Sequence, residues 1–308
     1  RRVLRVLVTG AGGQVATSLV NAANVSNIDL VALSRAILDI SDSNSVMAAM
    51  RAHRPDVVVN AAAYTAVDKA ESEPDAARRV NETGAANIAN ACRLTGVPVI
   101  HISTDYVFDG TKTSPYVEED VAAPLNAYGC SKLAGEVAVA DKCPAHIILR
   151  TSWVYSPFGH NFVRTMLRLA ETRDELSVVD DQVGSPTFAP HLAEAILLIA
   201  ERGLRDATLD APWGVYNVAG DGETTWCGLA RAVFDQARGS GGPTARVRAI
   251  STADYPTPAR RPVNSRLSCD KLERTFGIVL PHWMVGVADC VAQIKGDKHA
   301  HAEAKGGK

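Results

Sequence analysis

The first half of the chain alternates between short unbroken apolar runs and longer stretches in which apolar positions recur every three to four residues. Residues 3–8 form a continuous aliphatic run closed by a glycine-rich turn, and Gln14–Ala23 then has helical spacing. The rhythm repeats. Strands are predicted over 29–33, 56–60, 97–103 and 145–150, and helices over Ser43–His53, 76–95 and 128–140. Beyond residue 150 the pattern loosens. Residues 161–171 and 191–202 keep helical spacing, the Pro- and Gly-containing stretches between them read as loops, and RGSGGPT (238–244) reads as a flexible connection. No internal repeat is evident.

Short apolar strands alternating with helices imply right-handed βαβ crossovers and a parallel sheet covered on both faces. The chain therefore reads as α/β, a Rossmann-type doubly wound parallel sheet with a smaller carboxyl-terminal substrate lobe. Residues 1–150 would form the dinucleotide-binding domain, with later segments returning to it. Residues 151–294 would form mainly the substrate-binding lobe, and 295–308, which lack apolar periodicity, a disordered tail.

Composition narrows the partners. At 308 residues, 46% hydrophobic and 21% charged, with a formal net charge of -2, the chain is neither disordered nor suited to coat nucleic acid, so a small-molecule partner is expected. Six cysteines lie scattered without metal-ligand spacing, and eight histidines form no HxxxH pair, which argues for reduced thiols, a cytoplasmic setting and no bound metal. The opening run RRVLRVLVTG is too short for a signal peptide or a membrane span.

The chemistry begins at the first turn. TGAGGQVA (9–16) follows a strand and opens a helix, the setting in which Gly10 and Gly13 let a pyrophosphate approach the backbone and the helix amino-terminus supplies N–H groups. The second strand ends in Ser34 and Arg35 where NAD sites usually carry an acidic residue. A hydroxyl and a guanidinium there suit the 2′-phosphate of NADPH, with NADH possible and Asp39 able to serve the adenosine half. The small residues of NAAAYT (60–65) would let a ribose lie close to the backbone.

Tyr128 and Lys132 stand four apart on one helix face, where an ammonium lowers the cost of a phenolate and so makes tyrosine a usable acid. Lys132 could also hold the nicotinamide ribose. The strand VPVIHIS runs into Thr104 and Asp105 at its carboxyl end, where open α/β sheets bind ligands. Glycine loop, strand-end hydroxyl and YxxxK in this order point to hydride addition to a ketone, with Tyr128 protonating its oxygen and Thr104 binding it.

Long blocks carry a resemblance: NAAAYTAVDKAESEP (60–74), HISTDYVFDG (101–110), PLNAYGCSKLAGE (124–136), RTSWVY (150–155), NFVRTMLRLA (161–170) and YPTPARRPVNSRL (255–267). They are similar to the extended short-chain dehydrogenase/reductases and, within these, to the dTDP-4-dehydrorhamnose reductase family. The resemblance implies reduction of the 4-keto group of dTDP-4-dehydro-β-L-rhamnose to dTDP-L-rhamnose. It implies Thr104, Tyr128 and Lys132 as the catalytic set. Gly13, Gln14, Val15, Ser34, Asp39, Ile40, Ala63, Tyr64, Thr65 and Ile102 would contact the cofactor, and Thr104, Asp105 and Trp153 the substrate. An indole such as Trp153 can cover the apolar side of a 6-deoxy sugar.

Departures are specific. The third glycine of the loop is Ala16, tolerable where helix–strand packing is what matters. Some relatives join subunits through a magnesium ion held by glutamates. The matching positions here are Ser18, Pro190 and Gln293, so a monomer, or a weak homodimer not bridged by magnesium, is expected. Arg260 and Arg261 lie in a Pro-flanked segment that could meet a diphosphate, with Arg260 assigned to the substrate, and Asn161 and Gln182 are further polar candidates. Two rival readings stay open. One is a nucleotide-sugar epimerase or 4,6-dehydratase of the same fold, although Tyr106 stands where a dehydratase glutamate is expected. The other is a non-catalytic subunit like the regulatory subunit of methionine adenosyltransferase.

Overall fold

The computed structural model describes residues 3–204 and 211–306. Strands β1 (Leu4–Thr9), β2 (Ile28–Leu33), β3 (Val57–Asn60), β4 (Val99–Thr104) and β5 (His146–Thr151) are parallel neighbours in the order β5-β4-β3-β1-β2. Alternate side chains of each strand enter opposite cores, because side chains of an extended chain point to opposite faces. Leu4, Val6, Val8, Val57, Val59, Ile100 and Ile147 pack on one face with α1 (Gln14–Ala23). Leu7, Val58, Val99 and Ile148 pack on the other, with α2 (Ser43–His53) and the helices that follow.

The helix predicted over 76–95 is present, and its middle is widened. After the short turns α3 (Val67–Ala70) and α4 (Pro74–Arg78), residues Arg79–Gly84 form a π-helical turn before α5 (Ala85–Thr95). Two contacts explain the extra residue. Gly84 lies so close to Ile40 that a Cβ would stand 2.6 Å from its side chain, and Asn81 turns inward to bind backbone. The helix α6 (Ala127–Lys142) starts earlier than its predicted Tyr128 because Asn126 caps it, its Oδ1 accepting from the Gly129 N–H at 2.8 Å.

The second lobe has its own core of Tyr155, Val163, Leu176, Phe234, Trp283 and Val287. It starts with β6 (Val154–Tyr155) and α7 (Phe162–Ala170), followed by β7 (Glu175–Val179), β8 (Val183–Gly184) and β9 (Thr187–Phe188). The chain then leaves the lobe. Helix α8 (Ala189–Ile199) packs on α1, and β10 (Gly214–Asn217) adds a sixth parallel strand beside β5. The helical spacing over 191–202 marks α8 but not where it packs, and β10 was not located, since it is four residues long with no run to mark it. The lobe resumes with β11 (Thr224–Thr225), α9 (Trp226–Gly239), β12 (Arg246–Ile250), which pairs with β7, and β13 (Asn264–Ser265). Helices α10 (Asp270–Phe276) and α11 (Trp283–Gly306) close the chain.

Helix α11 runs through Gly306, so the segment expected to be a disordered tail is helical over 295–306, and 307–308 lie outside the described residues. Its Ala, Lys and Glu residues are good helix formers, and extension from packed upstream turns avoids the cost of nucleation.

Candidate active site

The sequence-derived cofactor positions fall along the carboxyl ends of four adjacent strands. Gly10, Gly13, Gln14 and Val15 follow β1; Ser34, Arg35, Asp39 and Ile40 follow β2; Ala63, Tyr64 and Thr65 follow β3; Ile102 lies in β4. The loop geometry suits a bound pyrophosphate. Gly10 has φ +78°, and a Cβ there would stand 2.8 Å from the Ala62 backbone. Gly13 is the amino-terminal cap of α1 and supplies no side chain to its first turn, leaving the N–H groups of that turn directed outward.

The rim of β2 is open. Arg35 is exposed, with Asp39 3.9 Å away. The Asp39 carboxylate is engaged elsewhere. It accepts from the Ser41 hydroxyl at 2.7 Å and the Ser41 N–H at 2.9 Å, which hold it below its ordinary pKa. Beneath the loop, the Asn60 amide donates to His101 Nδ1 at 3.0 Å and its oxygen accepts from Thr9 at 2.6 Å. Burial holds His101 well below its ordinary pKa, so it is neutral there.

The three catalytic candidates meet where β4 faces α6. The Lys132 ammonium donates to the Ile102 carbonyl at 2.7 Å, and burial pulls it down to about 8 against the opposing pull of the Glu136 carboxylate. Burial raises the Tyr128 phenol above its usual value and Asp105 pushes the same way, while a hydrogen bond with Thr104 works against both. Asp105 itself is buried, raised to about 7 by that burial, and its Oδ2 has no hydrogen-bond partner among the described residues. A carboxyl in this state can either accept from a sugar hydroxyl or donate to it.

Substrate candidates divide. Trp153 has φ +48° and stacks on Trp226 at 3.6 Å, a position kept open by Gly184, whose Cβ would stand 2.5 Å from the indole. Trp226 is held in turn, its indole N–H donating to Gln182 at 3.2 Å. Next to it lies a cleft of about 1150 Å³, with Asp68, Tyr106 and Arg261 on the sheet side and Asn161, Phe162, Gln182 and Trp226 on the lobe side. Arg261, not the expected Arg260, lines that cleft, and its guanidinium is paired with Asp68 at 2.8 and 2.9 Å. The Arg260 side chain is exposed and its carbonyl accepts from Asn126 at 2.8 Å.

Asn81 and Ser131 went unnoticed in the sequence. Asn81 brackets the Tyr64 backbone, its oxygen accepting from the N–H at 2.8 Å and its amide donating to the carbonyl at 3.0 Å. It also donates to Ser131 at 2.9 Å, whose hydroxyl donates to the Tyr128 carbonyl at 2.7 Å. One residue thereby joins the cofactor rim to the helix bearing Tyr128. Asn and Gly inside a helical pattern (NETG, 81–84) were the available signal. Gln14 links the glycine loop to the second lobe, its Oε1 accepting from Ser156 at 2.7 Å and Asn161 at 3.0 Å. Of the three positions set against metal-holding glutamates, Ser18 is buried on α1, with its hydroxyl on the Gln14 carbonyl at 2.8 Å. Pro190 lies at the start of α8 and Gln293 in α11. Among the described residues no group of three His, Cys, Asp or Glu side chains could hold a metal, and no helix is long and apolar enough to cross a membrane.

A family profile described as the RmlD substrate binding domain matches residues 4–295. The dTDP-4-dehydrorhamnose reductase of Sinorhizobium fredii is 51% identical over 280 residues, which cover 91% of this chain and 94% of that protein. Among solved structures, a dTDP-4-dehydrorhamnose reductase from Clostridium acetobutylicum superposes with a TM-score of 0.88 at 34% identity, covering 95% of this chain and 100% of the other. The Bacillus anthracis enzyme of that name, in complex with NADP, gives 0.88 at 35% identity over 95% of this chain and 100% of its own.

Proposed function

Because the chain belongs to the RmlD family, we propose that it is a dTDP-4-dehydrorhamnose reductase, converting dTDP-4-dehydro-β-L-rhamnose to dTDP-L-rhamnose with NADPH. The observation that carries this is the meeting of Thr104, Tyr128 and Lys132 where β4 faces α6, in the same parallel sheet whose first strand ends in the glycine loop. When bound, the reduced nicotinamide supplies the hydride that adds to the carbonyl carbon. Tyr128 gives its proton to the carbonyl oxygen, and the Thr104 hydroxyl donates to the same oxygen. The Lys132 ammonium stabilises the phenolate left behind. Trp153, braced on Trp226, covers the apolar side of the sugar, and Asp105 binds a sugar hydroxyl. A non-catalytic subunit would need none of these groups together.

Exposed Arg35 at the rim of β2 supports NADPH, since a guanidinium pairs with a 2′-phosphate and a carboxylate repels it. The test is oxidation of NADPH and NADH in the presence of the 4-keto sugar nucleotide. Turnover should occur with NADPH, and Arg35→Asp should shift preference toward NADH. Absence of turnover with either cofactor rules out the reductase reading. Equal use of both before and after the change removes Arg35 from recognition.

With Ser18, Pro190 and Gln293 at the positions set against glutamates, assembly should be independent of magnesium, because a hard cation needs anionic oxygens. Sedimentation in EDTA and in millimolar magnesium should give one mass; a dimer seen only with magnesium contradicts this. No membrane anchor is required by the chemistry, and we assign the protein to the cytoplasm.

A further inference from the structure

One turn beyond Lys132 on α6, a fully enclosed ion pair has no part in the reduction as derived so far. Glu136 is 4% exposed and Arg150, on β5, is 6% exposed. Arg150 Nη2 donates to Glu136 Oε2 at 2.7 Å and its Nε to Oε1 at 3.0 Å, while the Ser103 hydroxyl of β4 donates to Oε1 at 2.5 Å. Three consecutive residues of β4 thus face three positions of α6 spaced by four. Thr104 meets Tyr128, the Ile102 carbonyl meets Lys132, and Ser103 meets Glu136. Arg150 is supported independently, with Nη1 on the Glu118 carbonyl at 3.2 Å and its guanidinium 5.0 Å from the Phe108 ring centre.

Resting on the assignment of Lys132 above, we propose that Glu136 is a positioning residue for the reduction: clamped by Arg150 and Ser103, its carboxylate is the counter-charge that keeps Lys132 an ammonium. Enclosure alone drives a lysine toward the neutral form, which could not stabilise a phenolate. Helix α6 packs against α3, α4, the π-helical turn and α5 as well as β4, the turn after it and β5, and the charged and titratable groups at the sheet contact of Lys132 come from the last three. From β4 comes His101, neutral and buried; from the turn after it Asp105, which acts on Tyr128; from β5 Arg150, which touches Glu136 and not Lys132. Of these, the Glu136 carboxylate is the group that favours the charged lysine. Clamping matters because a carboxylate free to rotate away would leave Lys132 unopposed by any anion, and Arg150 and Ser103 fix both of its oxygens.

A purely structural pin between α6 and β5 would make a different prediction, so the test reads ionisation. In Glu136→Gln the high-pH limb of kcat/KM for NADPH oxidation should move down by about one pH unit, the effect of one charge one helical turn away in a protein interior. The sign follows from the chemistry: activity that needs the ammonium is present below the Lys132 pKa and lost as pH rises through it, and removing the carboxylate lowers that pKa. Glu136→Asp, which keeps the charge, should recover most of the shift. The same ionisation is read without substrate by NMR titration of 13C-labelled lysine, with Lys132→Met identifying the signal. If Glu136→Gln does not fold, Glu136→Gln with Arg150→Met removes both charges and should shift the titration in the same direction. Limbs and titrations that coincide with wild type while stability falls would reduce Glu136 to a pin and overturn the proposal. A wild-type protein without turnover would sink the reductase reading alone, because the NMR titration still reports on Lys132.

Discussion

Tyr128→Phe should cut turnover of the 4-keto sugar nucleotide by roughly 10²–10⁴-fold, the usual worth of a positioned acid, while leaving the fold and cofactor binding nearly intact. The ring survives the substitution, and with it the edge contact to Tyr106 at 5.5 Å between centroids. What goes is one hydroxyl, the group that shares a hydrogen bond with Thr104 and lies under the influence of Asp105. Because burial and Asp105 both make the phenolate harder to form, the proton is held until the carbonyl oxygen gains charge. Steady-state turnover of the purified variant, with its NADPH affinity measured by fluorescence, checks both halves. A rate within tenfold of wild type would remove Tyr128 from the mechanism.

Much of this site was legible because its residues are tied to regular elements by local rules. Helices Gln14–Ala23 and Ser43–His53 coincide with the apolar periodicity, since each buries one stripe against the sheet. The glycine loop and the Tyr128–Lys132 pair follow directly, being fixed by strand ends and by spacing within one helix. The π-helical turn at Arg79–Gly84 was not legible, because it is imposed by partners 17 to 50 residues away: Tyr64, Ile40 and Ser131. Strand β10 was hidden for a similar reason. Its four residues are held by the edge of β5 rather than by any pattern of their own. The choice between Arg260 and Arg261 was also closed to the sequence, since adjacent residues of a loop differ only in which way the turn points them, and Asp68 lies almost two hundred positions earlier.

Gly135→Ala tests how tightly that hidden turn is coupled to the catalytic helix. In an isolated helix the change would be favourable, since alanine is the better helix former by about 1 kcal/mol. Here it is not. A Cβ on Gly135 would stand 2.1 Å from the Asn81 carbonyl oxygen, a backbone atom that cannot swing aside as a flexible side chain would. Either α6 lifts from the π-helical turn or the turn shifts, and both moves pull on Asn81, which holds the Tyr64 backbone on the cofactor rim and Ser131 on the helix of Tyr128. Overpacking against backbone should cost about 3 kcal/mol, a fall of roughly 5–10 °C in Tm. Activity should fall with it even at temperatures where the protein remains folded. Gly239→Ala supplies the matched control: it lies at the end of α9 with nothing within 4 Å of its would-be Cβ, so its Tm should stay level or rise slightly. Thermal unfolding of the two variants side by side decides the matter. A Gly135→Ala protein that melts with wild type would mean the contact between α6 and Asn81 has slack, and the coupling of the cofactor rim to Tyr128 through that residue would fail.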